Sequence, residues 1–147
     1  MRNEAVAELE GLVGEWALTM TGAWFLESPD VEVHGTATIE WLADAFIVLR
    51  SALGEDYSTW DMVFGRSDPD EQFAVLYHDV RGVCRVFRMT FGDGDWTMLR
   101  EDPDFHQRFV ATVERDRIAG RWEASEDAGQ TWRKDFDLTF ERRGSRV

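Results

Sequence analysis

The chain has 147 residues, enough for one domain with one sizeable core, and residues 1–147 are expected to form a single barrel domain. Its 29 Asp and Glu against 16 Lys and Arg leave a formal net charge of -13, which repels phosphate backbones and anionic lipid headgroups, so no nucleic-acid and no membrane partner is expected. A hydrophobic share of 44% with 7 Trp excludes an intrinsically disordered chain.

The single cysteine, Cys84, excludes an internal disulfide and cannot by itself build a Cys-rich zinc site. No run approaches the length of a membrane helix, and residues 1–16 lack the apolar core of a signal peptide. A soluble, cytoplasmic protein is expected.

In chain order, Val6, Leu9, Leu12 and Val13 fall at helical spacing, with Glu4 and Glu8 on the wet side. They predict one short N-terminal helix, capped by Asn3 and stopped by Gly11 or Gly14, that plugs or covers an opening. After Gly14 the pattern is strand and turn. Trp16, Leu18 and Met20 alternate between Glu15 and Trp24. Val31 to Trp41 alternates Val31, Val33, Gly35, Ala37, Ile39 and Trp41 against polar residues, and Ala45 to Leu53 is apolar on both faces except at Arg50. Further strands are predicted over Ser58–Arg66, Phe73–Val80, Val83–Phe91, Asp95–Arg100, Phe105–Val113 and Ile118–Ser125.

The last, Thr131–Arg143, sets Trp132, Lys134, Phe136, Leu138, Phe140 and Arg142 on one side. Turn residues separate the strands at Ser28-Pro29-Asp30, Asp68-Pro69-Asp70, Arg81-Gly82, Gly92-Asp93-Gly94, Asp102-Pro103-Asp104 and Arg115-Asp116. About ten strands at hairpin spacing predict an all-β fold, an antiparallel up-and-down meander. Closure into a barrel removes its edges, and at about ten strands side chains no longer fill the interior, so a cavity is expected.

Three stretches carry resemblances. Ser125 to Trp132 reads S-x-D-x-G-x-T-W and resembles the Asp-box, a hairpin motif of unrelated β folds, which implies a structural element. Gly14-Glu15-Trp16 resembles the G-x-W of calycin barrels such as lipocalins. There the Trp plugs the closed end and a late-strand Arg stacks on it, which implies Arg142 as the partner of Trp16. Leu76 to Val83, Gln107-Arg108-Phe109, Gly120-Arg121-Trp122-Glu123 and Asp135 to Thr139 are similar to an uncharacterised family of bacterial calycin-like domains, a likeness that implies fold and no established activity.

Nitrobindins share that shape and hold haem through a histidine near the C-terminus. Here the histidines are His34, His78 and His106, none in the last two strands, so no haem and no other cofactor is expected; His78 and His106 are the candidate axial ligands if one is present.

Candidate chemistry has simpler readings beside it. His78-Asp79 is either a base with its orienting carboxylate or a strand end entering a turn. Asp93-Gly94-Asp95 lacks the spacing and bidentate Glu of a calcium loop. No Ser lies in a nucleophile elbow, and Cys84 reads as a passive thiol.

Parity gives the sharper expectation. If Trp16 and Arg142 face inward, Arg50, Tyr77, Arg85 and Gln107 share a lumen with Trp41, Trp60, Phe109 and Trp122, and these eight are the expected ligand-binding residues. Arg100 and Lys134 have the same parity, and Arg88 and Arg108 replace them where a bulge shifts it. Cations inside an acidic protein either pair with an internal carboxylate, of which Asp79 is the main candidate, or await a ligand.

The expected function is binding of a small hydrophobic or aromatic, anionic ligand. The alternative is an isomerase- or cyclase-type enzyme in the same pocket, with His78 or Tyr77 as acid/base. The expected partner is a small molecule, with a homodimer left open.

Overall fold

Ten strands and one helix follow one another in a computed structural model that describes residues 1–54, 59–67 and 71–144. The expected turn at Asp68-Pro69-Asp70 and the expected strand start at Ser58 lie outside the described residues. A 3-10 helix spans Val6–Leu12. The strands are β1 (Gly14–Thr21), β2 (Val33–Leu42), β3 (Phe46–Leu53), β4 (Trp60–Ser67), β5 (Gln72–Asp79), β6 (Cys84–Gly92), β7 (Asp95–Glu101), β8 (His106–Val113), β9 (Arg117–Ser125) and β10 (Arg133–Arg142).

Each strand pairs antiparallel with its sequence neighbours, and β1 pairs with β10 to close the barrel. The closing seam sets Trp16 opposite Arg142, Leu18 opposite Phe140 and Met20 opposite Leu138. With no free edge, the period-two alternation becomes an inside and an outside. The inside is aromatic: Trp96 packs on Phe64, Phe109 and Phe140 at ring-centre distances of 6.1, 4.9 and 5.9 Å. Its indole N–H, fully buried, meets no acceptor among the described residues. Gly120 makes room in this core, since a β-carbon there would overlap the Phe109 ring.

The helix stops one end of the barrel. Val6, Leu9 and Leu12 are buried, and covering each such side chain contributes roughly 1.5–3 kcal/mol. Asn3 Oδ1 accepts the N–H of Val6 at 3.0 Å, which caps the first turn as expected. Trp16 Nε1 donates to the carbonyl of Leu12 at 2.9 Å. Arg142 lies over the Trp16 ring at 4.2 Å and donates to the carbonyls of Val13, Gly11 and Arg115 at 2.8, 3.0 and 3.1 Å. The last strand thus holds the plug through one guanidinium.

One strand departs from its expected parity. Between Lys134 and Phe136 the register of β10 against β9 shifts, with Asp135 the extra residue. Residues 136–142 keep the expected sides. Before the bulge the sides exchange: Arg133 pairs with inward Ala124, and Trp132 stands under the outward Arg108 at 3.9 Å. Lys134 consequently pairs with Asp137 rather than facing the lumen.

The β9–β10 turn is knitted by its own side chains. Ser125 Oγ accepts the N–H of Gly129 at 2.9 Å and donates to Asp127 Oδ1 at 2.7 Å. Asp127 accepts the N–H of Thr131 at 2.8 Å. Those bonds, with the Thr131 hydroxyl first among them, hold the exposed Asp127 carboxyl down at about 2.

Arg142→Ala removes three charge-assisted hydrogen bonds together with the ring contact. We expect a loss of about 2–3 kcal/mol in urea unfolding, more than the ~1 kcal/mol of stacking alone. An unchanged midpoint would mean that Arg142 does not hold the plug.

Candidate functional site

Away from the helix, the ends of β1, β3, β5 and β9 and the starts of β4, β6, β8 and β10 surround a cavity of about 810 Å³. Its walls are aromatic. Phe87 stands edge-on to Trp122 at 5.6 Å and to Tyr77 at 6.3 Å, and Trp60, Phe105 and Phe136 complete the lining. Ser51 fixes the start of β4, donating its hydroxyl to the Trp60 carbonyl at 2.6 Å and accepting the Trp60 N–H at 3.1 Å. Trp60 on β4 and Trp122 on β9 line opposite sides of the closed barrel.

The polar groups fall into two sets. One is closed on itself at the rim: Asp79, whose side chain is 0% exposed, accepts the Tyr77 hydroxyl at 2.9 Å and the Arg81 guanidinium at 2.7 Å. It also accepts the Arg81 backbone N–H at 2.9 Å. Burial pushes the Asp79 carboxyl up, but the bonds from Arg81 and Tyr77 outweigh it and hold it at about 2. Burial, reinforced by the bond to Asp79, pushes the Tyr77 hydroxyl up to about 12.

The second set is open. Arg85 Nη1 donates to Gln107 Oε1 at 3.0 Å, and its guanidinium lies 5.1 Å from the centre of the Phe105 ring. Neither partner carries a negative charge. Among the described residues no carboxylate lies within ion-pair distance of Arg85, whereas Arg81, Arg100 and Arg133 each have one. The indole N–H groups of Trp60 and Trp122 likewise meet no acceptor among the described residues. These groups offer donors to the cavity, and the lining carboxylates Glu126 and Asp135 stand beside Arg133.

Of the eight residues expected to share the lumen, Trp60, Tyr77, Arg85, Gln107 and Trp122 line the cavity. Phe109 lies deeper, buried in the core against Trp122 at 5.1 Å. Two expectations are corrected. Arg50 is on the outer face, its side chain 52% exposed and paired with Glu40 at 2.8 Å; the inward set of β3 is Ile47, Leu49, Ser51 and Leu53. Trp41 has the inward parity but stands at the plugged end, where its Nε1 donates to Glu10 at 2.9 Å and Arg2 covers its ring.

Arg100 also faces in, and Asp102 and Asp104 neutralise it. Arg88 and Arg108, the bulge alternatives, pair on the outside with Glu101 and Glu123. None of the three histidines lines the cavity: His34 and His78 are exposed, and His106 stands near Gly129 in the β9–β10 turn.

Sequence reasoning missed the mouth. Trp24 and Phe25, on the loop after β1, line the cavity although Trp24 is 63% exposed. Trp24 Nε1 donates to Asp135 Oδ1 at 3.0 Å, Arg133 lies over its ring, and Phe25 stands edge-on to Phe136 at 6.0 Å. The available signal was Trp24 itself, at the end of the expected first strand, with Phe25 beside it; the observed strand stops at Thr21 and leaves both on the loop before Pro29.

No family model and no curated protein sequence matches the chain. Among solved structures, the chain is similar in fold to the crystal structure of Rv2717c from M. tuberculosis, with a TM-score of 0.71 at 10% identity, covering 97% of this chain and 99% of that one. A de novo designed fluorescence-activating beta barrel aligns over 94% of this chain and 98% of its own at a TM-score of 0.41 and 13% identity. At such identities the likeness to Rv2717c is one of fold.

The depressed Asp79 carboxyl makes a signed prediction. Its contribution to stability is present above its ordinary value near 3.8 and is lost as pH falls through about 2. Asp127 titrates in the same window, so the informative quantity is the difference between wild type and Asp79→Asn. We expect Asp79→Asn to be less stable at pH 7 and the gap to narrow between about pH 4 and 2. A gap independent of pH would show that the Asp79 charge does not anchor the rim.

Proposed function

We propose that the barrel binds a small hydrophobic or aromatic anion in its open-end cavity, with Arg85 as the counter-charge. The observation that carries this reading is Arg85 itself, a half-buried cation held by a neutral amide in an aromatic pocket of an acidic protein. The neighbouring cations Arg81, Arg100 and Arg133 are each paired with a carboxylate. Arg85 is held in place and left unneutralised, which suits an incoming carboxylate. The indole N–H groups of Trp60 and Trp122 add donors for its oxygens, and the rings around them match an aromatic or apolar body.

Two observations favour binding over the alternative of an enzyme that uses His78 or Tyr77 as acid/base. His78 is on the outer face, and the Tyr77 proton is committed to Asp79, with a pKa of about 12 that makes the hydroxyl a poor base at neutral pH. Haem ligation inside the cavity likewise has no histidine to use. The calycin kinship belongs to the same proposal, supported by Arg142 over the Trp16 of Gly14-Glu15-Trp16. Within it the Asp-box-like hairpin is scaffold, its oxygens engaged in their own turn.

Arg85→Met tests the reading. The apo protein should be at least as stable as wild type, since no carboxylate is left stranded. Affinity for aromatic carboxylates, followed by tryptophan fluorescence, should fall by about 2 kcal/mol, the scale of one charge-assisted hydrogen bond. A variant destabilised by about 3–5 kcal/mol would instead make Arg85 half of a structural ion pair.

A further inference from the structure

We propose that Gln107 sets the charge selectivity of the cavity, by positioning the Arg85 guanidinium without neutralising it. This inference rests on the proposed binding of an anion beside Arg85 and adds the residue that decides why the ligand is an anion.

The geometry is specific. Arg85 starts β6 and Gln107 starts β8, two strands away across β7, and both project into the cavity at its open end. The Gln107 Oε1 accepts Arg85 Nη1 at 3.0 Å. Phe105 supports the guanidinium on another side, with its ring centre 5.1 Å away. The same Phe105 ring lies 4.7 Å from Arg100, which Asp102 and Asp104 neutralise. Two guanidiniums therefore share one ring, and the one facing the cavity is without a carboxylate among the described residues.

An amide at position 107 can orient a guanidinium as a carboxylate would, because both offer an sp² oxygen at the same reach. It differs in charge. A glutamate here would have the same length and would place a negative oxygen on Nη1, closing the Arg85 field on itself as Asp79 closes that of Arg81. The Gln107 side-chain nitrogen adds a further donor beside the guanidinium, since the Oε1 faces Arg85. Gln107 is a positioning residue: it acts on the ligand mainly through Arg85, and it decides whether the site attracts an anion or a neutral molecule.

A matched pair of fluorescent probes reads this directly. 1-Anilinonaphthalene-8-sulfonate and N-phenyl-1-naphthylamine share one ring system and differ by the sulfonate. Wild type should prefer the sulfonate. Gln107→Glu should weaken the sulfonate by more than about tenfold, equivalent to about 1.4 kcal/mol, and change the neutral probe by less than about twofold, so that the preference inverts. Gln107→Leu, which cannot hold Arg85 but adds no charge, should keep the preference for the sulfonate in reduced form. Thermal unfolding of each variant confirms that the barrel is intact.

An unchanged ratio in Gln107→Glu, or an inverted ratio in Gln107→Leu, would overturn the role of Gln107 while leaving an anion site at Arg85. Equal wild-type binding of both probes would overturn the charge selectivity and leave an apolar cavity. Wild type that binds neither probe would overturn the proposed function, and the role of Gln107 with it.

Discussion

The structure depends on the pairing of its first and last strands. Six residue pairs from Trp16–Arg142 to Thr21–Asp137 join β1 to β10, and without them both strands would present open edges. Closure also fixes direction. Once the sheet has an inside, every inward residue must be apolar, paired or available to a ligand. The seam carries its own lock: Arg142 donates to the carbonyls of Gly11, Val13 and Arg115, lies over the Trp16 ring and pairs with Asp116 at 3.4 Å. One residue thereby joins the end of the chain to the plug at its beginning.

Plugging one end leaves the other to hold space. Toward the helix the interior is filled by Trp16, Phe64, Trp96 and Phe140. Toward the opposite end Trp60, Tyr77, Phe87, Phe105, Trp122 and Phe136 line the cavity of about 810 Å³ instead of filling it. The charges at its mouth follow a consistent rule with one exception. Arg81 is answered by Asp79, Arg133 by Asp135 and Arg100 by Asp102 and Asp104. Arg85 is answered by an amide. In a chain with 29 acids, a cavity cation without one is the feature that points toward an anionic ligand.

Much of this was legible in the sequence, for reasons that are local. Strands such as residues 33–41 and 84–91 alternate strictly, so their faces could be assigned before the barrel was seen. Trp60, Tyr77, Arg85, Gln107 and Trp122 were placed together by parity alone, and the cavity gathers all five. Arg50 went wrong because β3 is apolar on both faces: Val48 is buried although it alternates with the inward Ile47 and Leu49. Trp41 shows a different limit, since parity assigns a face and not a height along the barrel. Lys134 and Trp132 were misplaced by one extra residue at Asp135, and a bulge of that kind has no signature in a strand of alternating charges. Trp24 and Phe25 escaped because they are fixed to β10 by long-range contacts.

The most direct test of the cavity uses the tryptophans themselves. A nitrogen–proton correlation spectrum of the labelled protein resolves the indole N–H of each of the 7 Trp, and 2-naphthoate can be titrated into it. Binding beside Arg85 predicts that the Trp60 and Trp122 signals move in a saturable way, while Trp16 and Trp41 at the plugged end stay where they are. Shifts confined to Trp41 or Trp132, or no shift at saturating 2-naphthoate, would contradict a ligand site at the open end of the barrel.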